Sequence, residues 1–182
     1  CIRDRQGYSA DLITNLTNDA LVKINTELRN ALIGLKDPYD AMVAIGTNLD
    51  DKSVFSSIAK RAEVITRTEG GRVLQAARQA RADEVLKLIP DMQKEWKHSL
   101  YVKQPRTGHE EAHGQRVLAS EPFLIHWEAG VPDNMKEQLM YPKDPGGSPK
   151  NTINCNCYAQ DWHPDWDKVI NRQYEMDIIK VS

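Results

Sequence analysis

The stretch "VFSSIAKRAEVITRTEGGRVLQAARQARADEVLKLIP", residues 54–90, separates two halves of different character. Its apolar residues recur at helical spacing: Val54, Ile58, Ala62, Ile65, Val73, Ala77, Ala80 and Leu88. We therefore predict a long helix that starts near Asp51 and Ser53 and ends before Pro90. Gly70 and Gly71 lie within it and cost roughly 1 kcal/mol each against alanine. We expect a kink there, or the close approach of another backbone.

Two more helices are predicted before the long one. The segment "SADLITNLTNDALVKINTELRNALIGL", residues 9–35, carries a helical stripe of leucine and isoleucine, with Ser9 as its N-cap. The following "KDPYD" ends that helix. A short helix then runs from Tyr39 to Ile45 and stops at "GTNLDD". The first half of the chain is thus predicted to be entirely helical.

After Pro90 the helical period stops, and tryptophan, proline and glycine become frequent. Three segments alternate like short strands: "KEWKHSLYV" (94–102), "EPFLIHW" (121–127) and "INCNCYAQDW" (153–162). The proline- and glycine-rich stretch at 141–152 is predicted as loop. The pattern favours an α+β fold. A helical region spans residues 1–90, and a compact, loop-rich α+β module with short antiparallel strands spans residues 91–182.

Composition excludes several classes of protein. The 182 residues carry a net charge of −2, which argues against a dedicated nucleic-acid binder. Nothing approaches eighteen consecutive apolar residues, so no membrane span is predicted. The three cysteines include a C-x-C pair and do not suggest a disulfide framework. They fit a reducing compartment, with the pair available for a metal.

Four residues of the second half are candidate metal ligands: His109, His113, Cys155 and Cys157. Two thiolates and two imidazoles complete a tetrahedral Zn2+ site without an open position, as in structural zinc sites. Histidines four apart lie on one side of a helical turn, and cysteines two apart lie on one face of a strand. A small loop-rich module often needs such a metal to hold it together. The alternative is that the four residues are packed without metal.

The segment "TGHEEAHGQ", residues 107–115, also spells the zinc-protease motif H-E-x-x-H. An alternative function is therefore a zinc-dependent hydrolase that uses His109, Glu110 and His113. In such enzymes the motif lies within a well-formed buried helix. Here a proline precedes it, and glycines flank it on both sides, which leaves a turn or two of helix. We therefore favour a coincidental match and a protein that is not an enzyme.

Arginines mark the long helix at four positions: Arg67, Arg72, Arg78 and Arg81. A solvated helix face is the preferred interpretation of these charges. A phosphate-binding stripe is the alternative, and it would make the chain a DNA-contacting protein.

The order of motifs resembles one protein family. The segments are, in order, "TRTEGGRVLQAARQA", the tryptophan of "KEWKHSL", "PRTGHEEAHGQ", "EPF" and "YPKDPGGSPKNTINCNC". Together they are similar to the Mu F-like phage head morphogenesis proteins, also called minor head or minor capsid proteins. The resemblance covers roughly residues 55–158, and its closing N-C-x-C segment is the most specific part. Within it, "HEEAH" looks like the family's H-x-x-x-[DH]-G element.

The resemblance implies a structural role in a virion. Such proteins are low-copy components of the capsid interior near the portal vertex, linked to head assembly and to the fate of the DNA on ejection. Expected partners are the portal protein, capsid and scaffold proteins and the packaged DNA, with no membrane. The helical region would contact portal or capsid, and assembly would take place in the host cytoplasm.

The metal ligands depart from the family pattern. Many members carry C-x-x-C in the middle segment and H-x-x-C-x-C at the end. Here His109 and His113 stand where thiols are usual, and Asn151 and Asn154 lie near the final cysteines. Histidine can replace cysteine as a zinc ligand.

Overall fold

The computed structural model describes residues 16–49, 57–99 and 105–166. Its helices are, in chain order, α1 (Asn18–Leu32), α2 (Pro38–Thr47), α3 (Ile58–Leu86), α4 (Thr107–Glu111) and α5 (Pro149–Thr152), with a 3-10 turn at Asp133–Met135. Its strands are β1 (Gln93–Lys97), β2 (Arg116–Leu118), β3 (Phe123–Ile125), β4 (Glu137–Leu139) and β5 (Tyr158–Trp162). The fold is α+β, which confirms the prediction of a helical first half followed by short antiparallel strands.

The chain groups into two compact units. One combines Cys1–Ala76 with Pro142–Asn156, and the other combines Ala77–Tyr141 with Cys157–Ser182. This grouping differs from the division between residues 90 and 91, which stays a prediction about domains. Within the described residues, no helix is long and apolar enough to cross a membrane.

The core of the first unit lies among α1, α2 and α3. Its buried residues are Ile24, Leu28, Ile45, Leu49, Ala62 and Ile65. Ile24 and Ile45 are fully buried, and each contributes about 1.5–3 kcal/mol to folding. Ala62 and Ile65 of the stripe predicted for the long helix lie in this core, whereas Ile58, Ala77, Ala80 and Leu88 of the same stripe are exposed.

Helix α1 begins later than predicted. Thr17 caps it, because its hydroxyl accepts a hydrogen bond from Ala20 N at 3.3 Å. The proposed cap at Ser9 lies outside the described residues. Helix α2 confirms the short helix: Asp37 caps it by accepting from Tyr39 N at 2.8 Å, and Pro38 occupies the first turn.

Helix α3 runs 29 residues without interruption through both glycines. Its predicted start near Ser53 lies outside the described residues. The expected close approach occurs at Gly71, but the neighbour is a side chain and not a backbone. A Cβ on Gly71 would lie 2.7 Å from Cε of Lys143, while one on Gly70 would have no neighbour within 4 Å.

The second unit contains a three-stranded antiparallel sheet in the order β2-β1-β5. Strand β1 is central: Glu95 pairs with Arg116 on one side and with Gln160 on the other. Strands β3 and β4 form a separate antiparallel pair. Trp96 on β1 is fully buried and packs edge-on against Phe123 of β3.

Two predictions about the second half are corrected. The third predicted strand begins only at Tyr158, so both cysteines precede it. The segment predicted as loop contains α5, because Pro149 opens a helical turn after Ser148. The last three residues of the first predicted strand, Leu100, Tyr101 and Val102, lie outside the described residues.

Candidate metal centre

Three of the predicted ligands lie together. The Nδ1 or Nε2 of His109 and the Sγ atoms of Cys155 and Cys157 all lie within 4.8 Å of one another. The side chains are almost completely buried, with 1%, 1% and 3% of their surface exposed. His109 and Cys157 belong to one unit, and a single residue joins Cys157 to Cys155 along the chain. These three residues could therefore hold a metal ion.

The separation of two donors fits zinc. His109 Nδ1 lies 3.4 Å from Cys157 Sγ. With Zn–N near 2.0 Å and Zn–S near 2.3 Å, two tetrahedral ligands of these types lie about 3.5 Å apart. Two thiolates and an imidazole also form a soft donor set that suits Zn2+ better than Mg2+ or Ca2+.

Tight packing fixes His109. The preceding Gly108 approaches the segment after β3, where its N–H donates to Trp127 O at 3.2 Å. Trp96 meets the His109 ring edge-on, with the ring centroids 5.6 Å apart. The imidazole thus has an aromatic wall on one side and the thiols on another. Sequence reasoning missed Gly108, although a glycine directly before a ligand is a signal of close backbone approach.

The cysteines follow a tight turn. Asn154 has a positive φ of 53°, which asparagine tolerates better than most residues. Its backbone N–H donates to the Thr68 hydroxyl at 2.9 Å. This bond anchors the turn on α3 one residue before Cys155. Cys157 then leads directly into β5, whose first residue pairs with Lys97.

His113, the fourth predicted ligand, does not join the group. Helix α4 ends at Glu111, and the chain turns away through Gly114, which has a φ of 85°. The four-residue spacing therefore does not place the two histidines on one helical face. His113 Nδ1 instead accepts a hydrogen bond from His98 N at 3.1 Å. Within the described part of the chain the group contains three protein donors.

The hydrolase motif does not assemble around these donors. Glu110 is exposed, and His109 and His113 do not converge on one metal position. Glu111 accepts a hydrogen bond from Gly130 N at 2.6 Å and pairs with Lys136 at 3.3 Å. The Gly130 bond, followed by the Lys136 contact, lowers the pKa of the Glu111 carboxyl. The Glu111 carboxylate therefore holds the loop at Gly130 next to the end of α4.

The four arginines do not form one stripe. At about 100° per residue, Arg72 lies about 140° around the helix from Arg67, whereas Arg78 and Arg81 lie within about 40° of it. Arg72 is buried, so it belongs neither to a solvated face nor to a phosphate-binding one. Arg67 is exposed and pairs with Glu63 at 2.8 Å. Arg81 is also exposed, and Arg78 reaches Ala159 O at 3.0 Å.

Comparisons with models of protein families, with curated proteins and with solved structures found no match.

Proposed function

We propose that this chain is a phage minor head protein, a structural virion component that acts in head morphogenesis near the portal. The order of its motifs supports this function. The contacts that these motifs make with one another in the fold support it further.

The observation that carries the proposal is the buried arginine of the "RTEGGR" motif. Arg72 Nη1 pairs with Glu69 at 2.7 Å, and Arg72 Nε donates to Lys143 O at 3.0 Å. The two charged side chains are only 3% and 9% exposed. Arg72 and Lys143 are 71 positions apart, and Lys143 belongs to the closing "YPKDPGG" motif. Two motifs that carry the resemblance therefore bind each other.

A second bond joins the same two motifs. Thr68, also in the long helix, accepts from the backbone of Asn154 in the closing segment. Motif residues of a structural protein are expected to stabilise the fold through contacts of this kind. By contrast, the catalytic residues of a hydrolase are expected to converge on an accessible cleft.

The metal belongs to the same proposal. A Zn2+ ion held by His109, Cys155 and Cys157 would fasten the closing segment to α4, in a buried position suited to a structural role. A fourth ligand would come from outside this group. The burial of the three donors favours a structural zinc site over a catalytic one.

The test is made in the phage whose genome encodes the chain. A portal gene directly upstream, the chain in purified heads and co-purification with the portal protein are the expected results. Glu110→Gln should assemble normally, because the proposal gives this carboxylate no catalytic role. The Arg72→Met protein should be absent from heads, since removing one partner of a buried ion pair destabilises a fold by about 3–5 kcal/mol. Heads without the chain, or peptide hydrolysis that Glu110→Gln abolishes, would contradict the proposal.

A further inference from the structure

The β2-β1-β5 sheet has one face that lies opposite the buried Trp96, here named the outer sheet face. Side chains alternate along each strand, and directly paired residues point to the same side. Gln93, Glu95 and Lys97 of β1 therefore share this face with Arg116 of β2 and with Tyr158 and Trp162 of β5. Tyr158 is 39% exposed, and the Arg116 side chain is 41% exposed.

Aromatic rings and arginines are paired at this face. The Arg116 guanidinium carbon lies 3.9 Å from the centroid of the Trp162 ring. The Arg78 guanidinium carbon lies 5.9 Å from the Tyr158 centroid, at the β5 edge of the sheet. A guanidinium within about 6 Å of a ring centroid is attracted by the negative face of the ring. Both arginines are thus held in position, Arg116 over the Trp162 ring and Arg78 by its hydrogen bond to Ala159 O.

The face is positively charged, although the chain as a whole carries a net charge of −2. Lys97 and Arg116 are cations of the face itself, Arg78 adds a third cation at its β5 edge, and Glu95 is its buried carboxylate. Glu95 lies 2.7 Å from Lys97 Nζ and 3.7 Å from Arg116 Nε, so it positions two of the cations. Three positive charges against one negative charge leave two positive charges beside two aromatic rings.

We propose that the outer sheet face binds single-stranded nucleic acid. Phosphates contact Arg78, Lys97 and Arg116, and bases stack at Tyr158 and Trp162. Proteins that bind single strands without sequence preference combine these two features, a cationic track and aromatic platforms. An acidic peptide would use the cations and leave the rings without a role. The inference uses neither the contacts of Arg72 and Thr68 nor the metal ligands that support the proposed function, so either can fail alone.

Salt dependence measures the phosphate contacts. The full-length chain is titrated into fluorescein-labelled oligothymidylate, and anisotropy is followed at several salt concentrations. Three contacts predict a log–log slope of about −2, at about −0.7 per phosphate on a single strand. Arg116→Ala and Arg78→Ala should each reduce the slope by about 0.7. Arg67→Ala, the same change of charge on the same helix as Arg78, should leave the slope unchanged.

Ring substitutions separate stacking from general attraction of anions. Tyr158→Ser should weaken binding roughly 5- to 100-fold, and Tyr158→Phe should bind like the wild type. Tyr158 is partly exposed, so both variants are expected to fold, which circular dichroism checks. Equal affinity of Tyr158→Ser and wild type would overturn the inference. So would equal binding of oligoglutamate, tighter binding of duplex DNA, or an unchanged slope in both arginine variants.

Discussion

Gly108, beside the candidate metal centre, has no room for a Cβ. A Cβ there would lie 2.5 Å from Glu128 O and closer still to His126 O. Both neighbours are backbone atoms, which cannot swing aside as a long side chain can. The next residue is His109, so displacement of Gly108 moves the imidazole away from the thiols.

We expect Gly108→Ala to destabilise the protein by about 1–3 kcal/mol or more, the usual range for overpacking. It should also lower the bound zinc, because α4 must shift to relieve the contact. Urea unfolding and elemental analysis of the same sample measure both effects. Glu110→Ala, two residues along on an exposed position of α4, is the control and should keep its zinc. A Gly108→Ala protein with unchanged stability and zinc content would show that the site does not depend on this contact.

The predicted ligands show how much of the candidate metal site could be predicted from the sequence. The types and clustering of His109, Cys155 and Cys157 predicted a metal group that the structure brings together. The prediction of His113 as a ligand was wrong, because a four-residue spacing aligns side chains only while the helix continues. Helix α4 already ends at Glu111, whereas the local signal for its end, Gly114, lies beyond His113. The constraint on Gly108 comes from residues 126–128, so it was not visible in its own segment.

At the scale of elements, the long helices were predicted well and the short strands less well. The segments of α1 and α3 repeat apolar residues at helical spacing over several turns, which gives a strong signal. Strands β2 and β4 contain three residues each, too few for alternation to stand out. Their existence depends on pairing with β1 and β3, which the local sequence does not encode.

The glycine pair in α3 gives a prediction at this scale. Gly70→Ala should stabilise the protein by up to about 1 kcal/mol, because alanine favours the helix and meets no neighbour. Gly71→Ala gains the same propensity but meets the buried Lys143 side chain at 2.7 Å. We therefore expect Gly71→Ala to be less stable than Gly70→Ala in urea unfolding.

The double variant Gly71→Ala with Lys143→Gly tests the cause. It removes the obstructing side chain and relieves the positive φ of 69° at Lys143. Neighbouring substitutions of this kind are non-additive, so the pair should lose less than the sum of the single changes. Equal stability of the two single glycine variants would contradict the packing argument.

For the whole molecule, the two regions should respond differently to metal removal. The helical core of α1, α2 and α3 contains none of the three donors. The metal group lies beside Trp96 and joins α4 to the start of β5. Zinc binding would therefore act on the folding of the second half, while the helices keep their own core.

We expect purified protein to contain about one equivalent of zinc, and Cys155→Ser and His109→Ala to lose it. Free zinc at about 1,000 times Kd stabilises a site by about 4 kcal/mol. At this chain length that corresponds to a fall of roughly 8–16 °C in Tm when a chelator removes the metal. Far-ultraviolet circular dichroism should retain most of its helical signal, and the near-ultraviolet signal of packed tryptophan should weaken. His113→Ala is the matched control and should keep zinc and Tm, because its ring binds His98 N. Less than about half an equivalent of zinc, with a Tm unchanged by chelator, would mean that the three donors are only packed together.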